Sequence, residues 1–147
     1  MGSSRCVSAS ARGSPFSCTA TRRRHEAGGF GMSAAHVLIE TEDGVGTLTL
    51  NRPDKLNAFI GKMRSEIARG IETLGADDGV RAVIITGTGR AFCAGTVVKY
   101  LTRLIETKAV DEAVALVEAG RRVAAARRDM PQPVIAAVHG PAAGGGA

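Results

Sequence analysis

Apolar positions along the chain first alternate and then fall into helical spacing. His36–Thr41 and Val45–Leu50 are β-rich runs, with Asp43-Gly44 between them as a hairpin signal. In the second run Gly46, Leu48 and Leu50 fall on one face and Val45, Thr47 and Thr49 on the other, as in a half-buried strand. Asn51-Arg52-Pro53 ends that strand, because Pro53 cannot donate to a ladder, and Asp54 is placed to cap the next helix. Leu56, Ile60, Met63, Ile67, Ile71 and Leu74 then recur at steps of three and four, which predicts that helix. Gly61 and Gly70 weaken it by roughly 1 kcal/mol each relative to Ala, so packing of the stripe must hold it.

Asp77-Asp78-Gly79 turns the chain into a third strand, Val80–Thr86, where adjacent Ile84 and Ile85 predict cover on both faces. A glycine-bearing loop, Gly87 to Thr96, comes next. Val97, Leu101, Leu104 and Ile105 form a short helical stripe. A longer helix is expected from Val110 to Arg128, with Val110, Ala113, Val114, Val117 and Ala124 as its apolar side. Met130-Pro131-Gln132-Pro133 stops it. The apolar run Val134–Val138 then breaks into Gly140 and the triplet Gly144-Gly145-Gly146. A strand opening into glycine twice gives an α/β layout in which bare backbone approaches a ligand. A helix after the triplet would present unpaired N–H groups; it is expected to begin where the sequence stops.

Composition narrows the classes. Apolar residues make up 44% and charged residues 22%, a globular balance. Aromatics are only 3%, with no Trp, so the core must be built from Val, Ile, Leu and Ala, which suits α/β layers. The net charge of +5 lies mostly in residues 1–31, where five arginines face only Glu26. Residues 32–147 are close to neutral, which argues against nucleic acid as a partner. No apolar run approaches the ~20 residues of a membrane span. Cys6, Cys18 and Cys93 form no C-x-x-C pair, so neither a metal site nor a disulfide framework is indicated.

Residues 1–31 read as a basic, disordered extension, with Met32 as the natural start and 32–147 as the folded unit. The Arg- and Ser-rich composition also fits an import signal, but Gly13, Pro15, Gly28, Gly29 and Gly31 break the amphipathic helix such a signal needs. A cytoplasmic location is therefore expected over a mitochondrial one.

Neither glycine loop is a Walker A or a G-x-G-x-x-G fingerprint. Two loops at the same end of adjacent strands can still aim two backbone N–H groups into one crevice, which is the geometry of an oxyanion hole. The residues themselves allow that reading without requiring it.

Three ordered motifs go further: Asn51-Arg52-Pro53 with Asn57-Ala58, then Ala91-Phe92-Cys93-Ala94-Gly95, then Pro133–Val138 with Gly140, Ala142 and Gly144-Gly145-Gly146. Together they resemble the enoyl-CoA hydratase/isomerase (crotonase) superfamily over residues 36–147, the N-terminal portion of a typical member. The resemblance implies a crotonase-like ββα-type spiral core, an acyl-CoA or enoyl-CoA substrate and no separate cofactor, coenzyme A being part of the substrate. It also implies an enolate oxygen held by the backbone N–H groups of Thr96 and Gly145. Ala94 and Lys99 would line the CoA pocket, with Arg52 and Lys55 as further contacts for the polyanion. A homotrimer or hexamer is implied for the full-length protein.

Val97 stands where such loops commonly carry Asp, and Thr96 where Ala is usual. The family's acid/base glutamates fall beyond residue 147, so the chain by itself is expected to be inactive; a non-catalytic homologue that associates with crotonase-fold subunits is the alternative. Glu106, Glu112 and Glu118 read as solvated helix charges, as do Arg121, Arg122, Arg127 and Arg128. Cys93 reads as a small buried side chain rather than a nucleophile, and His139 as a structural hydrogen bonder rather than a base.

Overall fold

The computed structural model describes residues 35–147 and the backbone of Arg23–His25. Strands β1 (Arg23–His25), β2 (Val37–Glu42), β3 (Val45–Leu50), β4 (Ala82–Gly87) and β5 (Val134–Ala136) form one sheet in that spatial order. The first two pairings are antiparallel and the last two parallel. Helix α1 (Met63–Gly75) makes the crossover from β3 to β4, and α2 (Val98–Glu106) with α3 (Val110–Asp129) makes that from β4 to β5. Strand β1 lies inside the stretch expected to lack structure and uses the open edge of β2. The rest of that stretch lies outside the described residues.

The hairpin forms at Asp43-Gly44, where φ angles of 50° and 80° give the two left-handed positions of a tight turn. Gly46, Leu48 and Leu50 face inward as the alternation predicts. Leu48, Met63, Ile71, Leu74 and Val83 are fully buried between the sheet and α1. At Gly70 the helix comes so near the sheet that a Cβ would stand 2.9 Å from Leu48 Cδ1 and 3.0 Å from Ile39 Cδ1. The glycine that weakens the helix locally is thus what lets it pack.

Four expectations need correction. Helix α1 begins at Met63, not near Leu56. Leu56 and Asn57 are left-handed, at φ 51° and 54°, and Phe59 instead pairs with Thr96 as an isolated parallel bridge. Tertiary pairing has overridden an uninterrupted helical pattern. Asp54 caps nothing; it lies inside a short 3-10 turn, Pro53–Lys55, that has no side-chain cap. Ile84 and Ile85 are both half-buried, and only Ile85 packs on the core, so β4 is covered on one face among the described residues.

The fourth correction concerns α3, which turns its other side inward. Val123, Ala126 and Met130 pack on the core, whereas Val110, Val114 and Val117 are exposed. Those valines, with Leu104 and Ile105 of α2, line an open apolar groove of about 690 Å³. Arg122 is exposed but not merely solvated: Nε and Nη2 donate to both carboxylate oxygens of Glu72 at 2.9 and 2.7 Å, tying α3 to α1. Among the described residues no helix is long and apolar enough to cross a membrane, and no group of His, Cys, Asp or Glu is arranged to hold a metal ion.

Candidate active site

The loop after β4 is held by one side chain. Asn57 is fully buried, and its amide is used from both ends. Oδ1 accepts the Arg52 N–H at 2.8 Å, while Nδ2 donates to the carbonyls of Thr88 and Ala91, both at 2.9 Å. A buried amide satisfied in this way fixes the backbone on both sides of it. Its left-handed φ is one that Asn tolerates and Leu56 does not favour. Asn57 belongs to the Asn57-Ala58 motif, but hydrophobic spacing assigns it no role. A lone polar residue interrupting an apolar stripe was the signal available.

The loop after β5 rests on the first loop, backbone against backbone. Cys93 and Ala142 form an isolated parallel bridge. The Ala143 N–H donates to Cys93 O at 3.0 Å, and the N–H groups of Phe92 and Cys93 both donate to Pro141 O, at 3.1 and 3.2 Å. Gly95, at φ 81°, leaves room for Ala143 O only 2.5 Å from where a Cβ would lie. The Phe59 N–H donates to Gly95 O at 2.7 Å, so Thr96 is anchored from the α1 side as well. The N–H groups of Thr96 and Gly145 donate to no acceptor among the described residues. Gly145 sits within the single 3-10 turn Gly144–Gly146.

Arg64, in the first turn of α1, was not singled out by the sequence pattern because it lies off the apolar stripe. Its Nη2 donates to Thr96 Oγ1 at 2.5 Å and lies 3.4 Å from where a Cβ on Gly145 would stand. The guanidinium also stacks 5.1 Å from the centroid of Phe59. Burial lowers its pKa from the ordinary arginine value, although an arginine remains charged at any physiological pH. One side chain therefore reaches both loops.

The other candidates separate by position. Ala94 is half-buried in the first loop, and Lys99 is exposed in the first turn of α2. Lys55 is exposed in the 3-10 turn. Arg52 is partly committed inward, donating from Nη1 to Ala58 O. Val97 is the N-cap position of α2 and provides no side-chain cap, as its apolar side chain requires. Cys93 is fully buried; its thiol donates to Asn57 O at 3.2 Å, and burial pushes its pKa up. A buried, protonated thiol is not a nucleophile. His139 Nε2 lies 3.0 Å from Gly89 O; a carbonyl only accepts, so this nitrogen carries the proton and the ring ties the two loops.

A buried amide staple holds one of two adjoining glycine loops at the ends of parallel strands, and the Thr96 and Gly145 N–H groups stay unpaired among the described residues. Residues 40–147 match the model of the enoyl-CoA hydratase/isomerase family, and the chain belongs to that family, with a crotonase-type fold. It is 37% identical over 111 residues to 1,2-epoxyphenylacetyl-CoA isomerase of Escherichia coli, a match covering 76% of this chain and 42% of that protein. An enoyl-CoA hydratase/carnithine racemase structure from Magnetospirillum magneticum superposes with a TM-score of 0.69 at 36% identity, covering 78% of this chain and 42% of that one. An enoyl-CoA hydratase/isomerase structure from Xanthobacter autotrophicus gives 0.67 at 35% identity, with the same 78% and 42% coverage. The chain thus spans about two fifths of the length of these relatives.

Proposed function

We propose that the protein acts on acyl-CoA thioesters by way of an enolate whose oxygen is held by the N–H groups of Thr96 and Gly145. The observation that carries this is the pair of adjoining loops held backbone against backbone, in which the Thr96 and Gly145 N–H groups are among the donors left unpaired. Addition of water at C3 of an enoyl thioester moves the C2=C3 electron pair toward the carbonyl. The oxygen becomes an oxyanion until C2 receives a proton. Double-bond isomerisation reaches the same oxyanion after a proton leaves the acyl chain. Preorganised donors at that oxygen stabilise either transition state, and each is worth ~3 kcal/mol of barrier in comparable sites.

Lys99 and Lys55, both exposed, are proposed to meet the phosphates of coenzyme A as point charges, with Ala94 and Arg52 shaping the pocket wall. The acid/base group is expected from elsewhere in the protein. Glu112 and Glu118, expected to be solvated helix charges, are exposed and paired with Arg103 and Arg121, and Glu72 is paired with Arg122. Assembly into a trimer or hexamer, with no nucleic acid or membrane partner, completes the proposal. The exposed Ile105, Val110, Ile135 and Val138 supply apolar surface for further contacts.

The direct test monitors loss of the enoyl-thioester absorbance of crotonyl-CoA with the intact protein. Turnover that Gly145→Pro cuts by about 10²- to 10³-fold supports the proposal; turnover that it leaves unchanged refutes the oxyanion assignment. Residues 1–147 alone should show none, and measurable hydration by them would overturn that part.

A further inference from the structure

We infer that Arg64 and the Thr96 hydroxyl form a subsite selecting thioesters whose acyl group carries a carboxylate; this rests on the acyl-CoA reading above. The starting point is where the cation lies. Nη2 contacts Thr96 Oγ1 at 2.5 Å and stands 3.4 Å from a Cβ position on Gly145. The guanidinium therefore borders the space between the two proposed oxyanion donors, where the acyl portion of a thioester must pass.

Its present partners do not balance its charge. Nη1 donates to Leu116 O at a long 3.4 Å and Nη2 to the Thr96 hydroxyl, which leaves three of the five guanidinium N–H groups without an acceptor among the described residues. The Phe59 ring face lies beside it, with Cys93 and Tyr100 nearby, and no carboxylate pairs with Arg64 among the described residues. A partly desolvated cation is destabilising unless an anion or several acceptors compensate it. Closing an alkyl chain over it would remove more water and offer no acceptor. A carboxylate would accept two parallel N–H bonds from the planar fork.

Thr96 adds a second donor. Its oxygen accepts from Arg64, so the hydroxyl hydrogen remains available to a substrate oxygen. An alanine at this loop position would offer neither function.

The test compares two thioesters of coenzyme A on the intact protein: but-2-enoyl-CoA and its analogue carrying a carboxylate on C4. Wild type should favour the carboxylate by at least tenfold in kcat/KM. Arg64→Met should reverse that preference, and Arg64→Lys should retain part of it. Equal or better use of the neutral thioester by wild type overturns the inference, and this needs no variant to fold. An equal loss on both thioesters in Arg64→Met also overturns it, because the guanidinium would then only hold the loops. Failure to bind either thioester would instead sink the acyl-CoA reading itself, and the inference with it.

Discussion

The two glycine loops do the same geometric task by different means. The loop after β4 is built around a buried side chain, with Asn57 satisfying three backbone groups within it and beside it. The loop after β5 has no such staple. It leans on the first loop through main-chain contacts and the His139 bond to Gly89 O, and Ala142–Ala147 are mostly exposed. Order is thus passed from α1 and Asn57 to the first loop, and from there to the second. Damage to the first loop should spread, whereas damage to the second should stay local.

The largest effect is expected from Gly145→Pro, which deletes one donor; its Cβ would stand 3.4 Å from Arg64 Nη2 and from Phe59 Cε2, both at the ends of side chains. A loss in kcat on the order of 10²- to 10³-fold, with folding stability nearly unchanged, is the anticipated signature. Unchanged kcat would remove the second loop from the chemistry. Next comes Asn57→Leu. It leaves the Arg52 N–H and the carbonyls of Thr88 and Ala91 without this partner, at about 1–3 kcal/mol for the buried Ala91 carbonyl and less for the two part-buried groups. Denaturant unfolding should show a loss of several kcal/mol, together with lost turnover. A variant of wild-type stability would show that the staple does not organise the crevice.

Gly95→Ala tests the joint between the loops. The left-handed φ costs an alanine roughly 1–2 kcal/mol, and its Cβ would meet Ala143 O, which is backbone and cannot swing away. Activity should fall by more than stability does; equal losses would mean that the joint serves folding only. Smallest is Arg122→Gln. Its hydrogen bond to Glu72 lowers that carboxyl below its ordinary pKa. A depressed carboxylate contributes stability above the unfolded pKa and loses it as pH falls through the folded one. The variant should be slightly less stable than wild type at neutral pH, in this exposed and salt-screened pair. It should match wild type once the carboxyl is protonated. A difference that persists in acid would assign the effect to packing of the arginine stem.

Alternation and turn chemistry, which are local, set β3 to the residue and the hairpin at Asp43-Gly44. Periodicity was informative for Met63–Leu74 because those side chains do meet the sheet. It misled from Leu56 to Ile60, where the same spacing belongs to a turn and a β-bridge. The decisive force there is pairing of Phe59 with a loop more than thirty residues away, which no local pattern encodes. On α3 the side expected to be apolar, with Val110, Val114 and Val117, stays exposed, and the helix packs on α1 with Val123 and Ala126 instead.

The sequence by itself determined the order of elements from β2 onward, the glycine loops and, through ordered motifs, the family. Only the tertiary structure decided that those loops touch, that Asn57 holds one of them, and that Arg64 reaches both. Each of these is a contact between segments distant along the chain. Each depends on the crossovers through α1, α2 and α3 that bring the ends of β4 and β5 side by side.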